Sequence, residues 1–544
     1  MAWLKELFGG LRSKIRSRDK KGDLAAIQDI GQREAFIRDL KLTDNLNENI
    51  KTIGELYGNS PDLIFRHFRV GAAQIPGALL CLDGMVAPDR VEEILKALEI
   101  EAQRISVQLP KGEGLLASIE DGLLPSHQVQ RSALLGEICH RISSGETALL
   151  FAGVGQSLIC DTSGFATRSI EEPTSETTIR GPRVGFIESI ETNITLLRRR
   201  IKTPNLWIEN YQVGDLTQTQ LSLVYIKGLA SEELLTEVRS RLKRIRVDGV
   251  LESGHVEEYI EDTPFTLFPM VLRTERPDRV VGNLLEGNVA LLTDGTPFVM
   301  TLPAKFVELL QSPDDYYDRS PIGSLTRFLR FAAYLISILL PGIYVATINF
   351  HHELIPTTLL LRITAAREGL PFPVVVEALM MELAFEILRE AGVRLPQAIG
   401  PAISIVGALV LGEAAIRAGI VSPIIIIIVA LTAISSFTAP VYSIGISARI
   451  LRFFFIALGG AFGLFGMQAG ILLILIHLCS LRSFGVPYFA PLGPLIWASW
   501  KDTFIRMFFW DLTTRPKLTG FREPQRAKSG QMPGIQRGEK GEEE

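Results

Sequence analysis

From about residue 325 onward, charge almost disappears from runs of about 20 residues or more, the length that a ~30 Å hydrocarbon core requires. Four such runs read as spans: Leu329–Phe350, Ile399–Ala418, Ile420–Ala439 and Phe453–Leu478. Before residue 325 charges recur every few residues, as in ordinary globular material. The expected architecture is an α/β two-lobed cytoplasmic head followed by an all-α polytopic membrane domain. At 544 residues the chain is long enough for both.

A further segment, "PFPVVVEALMMELAFEILREAG", is apolar but carries Glu377, Glu382, Glu386 and Glu390. At roughly 3 kcal/mol per charge at a helix centre, it makes a poor lipid-facing span and is expected to lie at the interface or insert partly. Arg327 and Arg330 flanking the first span, and Lys517, Arg522, Arg526, Lys528, Arg537 and Lys540 in the tail, place both ends in the cytoplasm. Two cytoplasmic ends require an even number of spans, which four satisfies. Arg449 and Arg452 conflict with that count, because four spans place them outside.

Within Ile399–Ala418, Ser404, Ala408 and Gly412 form a small-residue stripe that lets helices approach closely. Val406, Val410, Glu413 and Arg417 lie on another face. Packing, with Glu413 and Arg417 paired near the surface, is one reading of that face. A pore lining, apolar at a constriction and charged at a mouth, is the other, and it requires several copies of the chain. In the last span Gly459/Gly463 and Gly466/Gly470 are small-residue pairs for close helix contact.

The head, residues 25–320, divides into lobe 1 (25–143) and lobe 2 (144–320), both α/β. Residues 1–24 form a basic arm, either amphipathic or disordered, residues 325–510 the membrane domain, and 511–544 a disordered tail. Helices are read in "DNLNENIKTIGELYG", "DRVEEILKALEIEAQ", "VQRSALLGEICHRI", "GFIESIETNITLLRRRI" and "SEELLTEVRSRLKRI". "TALLFAGVGQSLICDT" reads as a hairpin opening lobe 2, and a second hairpin turns at Asp294-Gly295. Gly153 and Gly155 fail the dinucleotide fingerprint, since Leu158 holds its third glycine position.

No catalytic set, cofactor site or metal site emerges. His352-Glu353 begins a zinc-helix motif, but Pro356 stands where the second histidine belongs, and proline opposes the helix that would aim the ligands. The remaining reading of that motif is an intramembrane hydrolase at His351, His352 and Glu353, to be tested by metal content. The net charge of -4 argues against nucleic-acid binding. Four scattered cysteines suit a reducing compartment and buried, inert thiols.

Five stretches carry a resemblance: "TIRGPRVGFIESIETNITLLRRRIKTPNL", "GNLLEGNVALLTDGTPFVMTLP", "ELIPTTLLLRITAAREGLPFPVVVEALMMELAFEILREAGVRLP", "SSFTAPVYSIGISARILRFFF" and "HLCSLRSFGVPYFAPLGP". Together they resemble the A subunits of spore germination receptors, the GerA family, across most of residues 170–500. The resemblance implies a protein of the bacterial spore inner membrane with a cytoplasmic two-lobed head. It also implies an oligomeric, pentameric ion channel that opens on nutrient sensing. The implied partners are a transporter-like B subunit that senses the nutrient and a C-subunit lipoprotein. A scaffold or signal-transmitting subunit without a pore is the alternative, and it includes the related branch that accompanies the dipicolinate-release machinery.

Overall fold

The computed structural model describes residues 30–533, apart from 72, 103–111, 125–128, 165–172, 174, 175, 177, 395–406, 408, 409, 411, 520–522 and 529. The chain forms two units. One holds residues up to 261, 271–303 and 509 onward; the other holds 262–270 and 304–508. The polypeptide thus passes between them four times.

The first unit contains two five-stranded antiparallel sheets. In the first, α1 (Ile30–Asp39) and α2 (Leu46–Leu56) precede β1 (Leu63–Val70) and β2 (Ile75–Leu82). Then come α3 (Pro88–Lys96), α4 (Glu113–Gly122), β3 (Val129–Ser132), α5 (Leu135–Ile142), β4 (Thr147–Phe151) and β5 (Ser157–Cys160). The strand order is β1-β2-β4-β5-β3. The hairpin expected at 147–160 forms, but β4 pairs with β2, so it completes the first sheet and does not open the second lobe. The stretch read as one helix at 129–142 is β3 followed by α5. Alternation explains the sheet's two covered faces: Leu80, Leu82 and Leu150 join a core with α2 and α5, while Leu79, Cys81 and Leu149 join one with α3 and α4.

The second sheet repeats this plan. It comprises α6 (Ile190–Arg200), β6 (Leu206–Val213), β7 (Thr219–Ile226), α7 (Glu232–Arg244), α8 (Ser253–Ile260), β8 (Leu272–Thr274), α9 (Pro277–Leu285), β9 (Val289–Thr293) and β10 (Val299–Leu302). Its order, β6-β7-β9-β10-β8, is that of the first sheet, and equivalent strands start 142 to 144 residues apart. Local chemistry repeats as well. Asn49 closes the chain on Thr43, accepting its N–H at 2.9 Å and donating to its carbonyl at 2.6 Å. Asn193 makes the same pair of bonds to Ile187, at the same distances. The hydroxyls of Ser132 and Thr274 accept N–H groups two residues on, at 3.2 and 3.1 Å. Gly145 and Gly287 hold φ of 94° and 91° at matching turns. The lobes are therefore a structural duplication. Side-chain identity hides it; only shared turn and capping positions reveal it.

The two sheets are tied by buried polar contacts. Arg198 forks onto Asp62 at 2.8 and 3.0 Å, and the Trp207 indole donates to the Leu56 carbonyl at 3.0 Å. With both side chains out of water, desolvation offsets much of the pair's Coulombic attraction, so its net stabilisation is small. The start of the tail is also ordered: Arg515 donates to the carbonyls of Leu285 and Glu523, so disorder does not begin at residue 511.

The second unit is a helical bundle. After short α10 (Phe306–Leu309) and α11 (Asp314–Tyr317) come α12 (Ser320–Phe350), α13 (Thr357–Arg367), α14 (Val374–Arg394), α15 (Pro423–Ser436) and α16 (Tyr442–Ser480). Among the described residues, only α12 and α16 are both long and apolar enough to cross a bilayer by themselves. However, α16 is not one rod. Gly463 has φ 61° and ψ -145°, outside helical space. A Cβ on Gly466 would lie 2.5 Å from the Leu458 carbonyl oxygen, and one on Gly470 would lie 2.7 Å from Leu458 Cδ1. Eight to twelve residues along a straight helix are roughly 12–18 Å apart, so the chain doubles back at Gly463. Both feet of this hairpin meet the strap 262–270: the Ser447 hydroxyl donates to the Leu267 carbonyl, and Thr266 bonds His477 at 3.0 Å. The expected span Phe453–Leu478 is corrected accordingly. Hydropathy registers apolarity but not a reversal of direction.

Candidate functional site: a charged seam inside an apolar bundle

The strap marks one end of the bundle, here called near; Gly463 and His351 mark the far end. Contacts then give each helix a direction. A Cβ on Gly463 would fall 2.9 Å from the His351 ring, so α12 runs from near to far, parallel with the first arm of α16. α14 returns: Val375 lies at Gly460 near the far end, Glu382 at Arg452, and Glu386 at Arg449 closer to the near end. α15 returns as well, from Glu377 beside Ser422 to Arg389 beside Ser436. The described residues between 407 and 418 go the other way, since Gly407 faces Leu388 and Gly412 faces Ile426.

α14 therefore runs along its neighbours and not across one end of the bundle. It lies among α12, α15 and α16, with Glu377 and Glu382 fully buried. What makes this tolerable is pairing. Glu382 accepts from Arg452 Nη1 at 2.6 Å, and both side chains are 0% exposed. Arg452 Nε donates to the Ser337 carbonyl on α12 at 2.8 Å. Glu386 collects Arg389 at 3.5 Å, Arg449 at 3.7 Å and Arg452 at 3.9 Å. Arg389 also stacks between Phe385 and Phe437, 4.8 and 4.7 Å from the ring centres. Towards the far end, Arg367 holds Glu377 at 2.8 Å, and that carboxylate also accepts the Ser422 N–H. A polar seam thus follows α14 through the bundle. Glu382 Oε1 and Arg452 Nη2 are buried with no partner, so the seam's centre is not saturated.

Sequence reasoning located the glutamates but not their partners on other helices: Arg367 of α13 for Glu377, and Arg449 and Arg452 of α16, 63 to 70 residues away, for Glu386 and Glu382. The signal was present: Arg449 and Arg452 were the charges that four spans could not place. With α14 traversing the bundle and α16 folded back, Arg449 sits towards the near end, where α12 begins with Arg327 and Arg330 in its first three turns.

The pore-face residues are divided. Val406 lies outside the described residues, as do the packing residues Ser404 and Ala408. Val410 is 58% exposed, and Glu413 and Arg417 pair at 2.5 Å with their side chains largely exposed. All three point away from their own bundle, whereas Gly412 packs inward on Ile426. Gly459 meets the Gly342 carbonyl, where a Cβ would come within 2.5 Å, so it serves contact between helices of one subunit. Gly466 and Gly470 pack one arm of the hairpin on the other, and Gly463 is the reversal itself.

Among the described residues no group of three or more His, Cys, Asp or Glu side chains is placed to hold a metal ion. His352 and Glu353 stand on an exposed single turn, His352–Leu354, after α12 has ended. Cys139 and Cys160 are buried and their thiols are pushed up to about 12 by desolvation, Cys81 to about 11. Cys479 departs from the expectation of buried thiols: it is exposed. The polar loop around Thr178–Pro182 is ordered by Arg276, which donates to the Thr178 hydroxyl and the Pro182 carbonyl at 3.0 and 3.2 Å.

Comparison with known proteins matches residues 51–518 to the family described as Bacillus/Clostridium GerA spore germination protein. Spore germination protein KA of Bacillus subtilis is 44% identical over 91% of this chain and 90% of its own length. Spore germination protein GerLA of Bacillus cereus is 39% identical over 88% of this chain and 96% of its own. A B. subtilis relative at 41% identity, over 88% and 92%, carries the name uncharacterized membrane protein YfkQ. The crystal structure of the N-terminal domain of the A subunit of the Bacillus megaterium spore germinant receptor GerK3 covers 49% of this chain at 34% identity, with a TM-score of 0.39.

Proposed function

The chain belongs to the GerA family of spore germination proteins, and from that premise we propose that it is the A subunit of a nutrient-responsive germinant receptor that forms an oligomeric ion channel in the spore inner membrane. Its helical unit crosses the bilayer six times in this reading. The crossings are α12, α14, residues 399–418, α15 and the two arms of α16, so both ends of the bundle's chain lie on the cytoplasmic side. α15 has 14 residues and spans roughly 21 Å, short for a full crossing unless its apolar flanks extend it.

The observation that carries the channel reading is the outward face of Val410, Glu413 and Arg417. An apolar side chain followed by a charged pair, turned from its own bundle, has the order of a pore face, apolar at a constriction and charged at a mouth. Around the axis of a ring, pentameric in this proposal, the same face places Val410, with Val406, as an apolar collar. Glu413 and Arg417 then stand at a mouth. A transporter-like B subunit that senses the nutrient and a C-subunit lipoprotein complete the receptor. The four chain passages between the units give the head a covalent route to the feet of the α16 hairpin. No catalytic step is assigned.

The test is ion flux from potassium-loaded liposomes containing the purified full-length protein. Val410→Ala removes two methyl groups per copy and is expected to raise resting flux severalfold by lowering the dewetting barrier. Wild-type liposomes are expected to stay nearly tight. If Val410→Ala and a charge inserted by Val410→Glu both leave flux at the level of empty liposomes, the subunit is a scaffold or signal transmitter without a pore.

A further inference from the structure

Near the start of α12 the chain returns as residues 495–505, a segment that includes the short 3-10 turn Trp497–Asp502. Its construction is inverted relative to a water-facing segment. The polar groups turn inward: Arg327 Nη1 donates to both the Asp502 carboxylate and the Asp502 carbonyl at 2.8 Å, and Tyr316 donates to that carboxylate at 2.6 Å. Ser324 closes the segment from α12, its hydroxyl donating to the Arg506 carbonyl at 3.1 Å. The apolar groups turn outward. Trp497 is 71% exposed, Ile505 61% and Leu495 51%, and Lys501 is exposed among them. Inside this rim, Trp500 packs edge-on to Phe504, and Phe504 to Phe331 of α12, with centroids 5.9 and 4.9 Å apart.

We propose that residues 495–505 are a membrane-surface anchor that seats in the headgroup layer of an anionic lipid bilayer at the near end of the bundle. Three features select lipid as the occupant. The turns of α12 that carry Ser324, Arg327 and Phe331, the residues that hold the segment, also expose Leu325, Phe328 and Leu329. Indole is the side chain that favours the boundary between hydrocarbon and water, having an apolar body and one donor. Lys501 supplies a cation at that level, where a phosphate group would meet it. The inward hydrogen bonds to Arg327 lock the segment's depth to α12. They set the hydrocarbon boundary close to Phe331 and leave about 20 residues of α12 beyond it, the length of one crossing. The inference rests on the membrane reading of α12.

Nitroxide labels on single cysteines test it in the full-length protein, reconstituted in vesicles of phosphatidylglycerol and phosphatidylethanolamine. Cys479→Ser removes the exposed thiol, while Cys81, Cys139 and Cys160 are buried. Collision with oxygen reports hydrocarbon, and collision with a water-soluble nickel chelate reports water. The oxygen-to-nickel ratio is expected to be highest at Ile343→Cys, an exposed position near the middle of the stretch of α12 beyond Phe331, and lowest at Lys501→Cys. Trp497→Cys and Ile505→Cys are expected to fall between, severalfold from either extreme. If both match Lys501→Cys, the segment faces water and the anchor is refuted. If both are shielded from oxygen and nickel alike, a second copy of the chain covers the segment, which also refutes it. Nickel access at Ile343→Cys would overturn the membrane reading itself, separately from the anchor.

Discussion

Arg452→Leu is expected to destabilise the helical unit by roughly 3–5 kcal/mol, the cost of leaving a buried carboxylate without its partner. Glu382 and Arg452 are both wholly out of contact with solvent and 2.6 Å apart. Leucine removes the Glu382 contact, the Nε bond to the Ser337 carbonyl and one of three cations around Glu386. Glu382→Leu alone should cost about as much, because it strands a guanidinium. The pair replaced together, Glu382→Leu with Arg452→Leu, should regain most of the loss, since two apolar side chains need no partners. Thermal unfolding in detergent reads the result. Equal stability of wild type and both single variants would show that the pair is hydrated and not sealed.

Gly463→Val should be as damaging, by about 3 kcal/mol or more, and for a different reason. The backbone there, φ 61° and ψ -145°, lies in a region that is essentially glycine-only. A Cβ would also fall 2.9 Å from His351 Cε1 and 3.0 Å from Phe350 Cβ, so backbone strain and overlap add. Gly369→Ala separates the two effects. Its φ is 87°, but a Cβ there meets nothing within 4 Å, so it should cost only the ~1–2 kcal/mol of a strained φ. Unfolding midpoints for the two variants that coincide would mean the hairpin turn is not closed as described.

These two sites show where sequence was readable and where it was not. Helices α2, α6 and α7 are legible because Asn45, Ser189 and Ser231 cap their first turns before an amphipathic run. The hairpin of β9 and β10 is legible from Asp294-Gly295, and Gly295 does take φ 84°. β3 and β8 are not legible, being four and three residues long at the rim of each sheet. The duplication escaped because a lobe is specified by its pattern of caps and turns, which survives when identities do not. In the bundle, Gly463 reads as one small residue among several, since no periodicity reports a dihedral angle. The seam escaped because the partners of the two fully buried glutamates, Glu377 and Glu382, lie on other helices, and an unpaired acid in an apolar run argues for the surface.

The six-crossing arrangement, on which the channel proposal depends, is tested most directly by the sidedness of four single-cysteine variants in the Cys479→Ser protein. Glu353→Cys and Arg417→Cys lie at the far end of the bundle, Arg482→Cys and Lys501→Cys at the near end. Sealed vesicles of known orientation, treated with a membrane-impermeant maleimide, should label Glu353→Cys and Arg417→Cys from one side only. Arg482→Cys and Lys501→Cys should label from the other. Labelling of Arg482→Cys from the same side as Glu353→Cys would mean that residues 442–480 cross once, without reversal at Gly463, and would contradict the fold of the bundle.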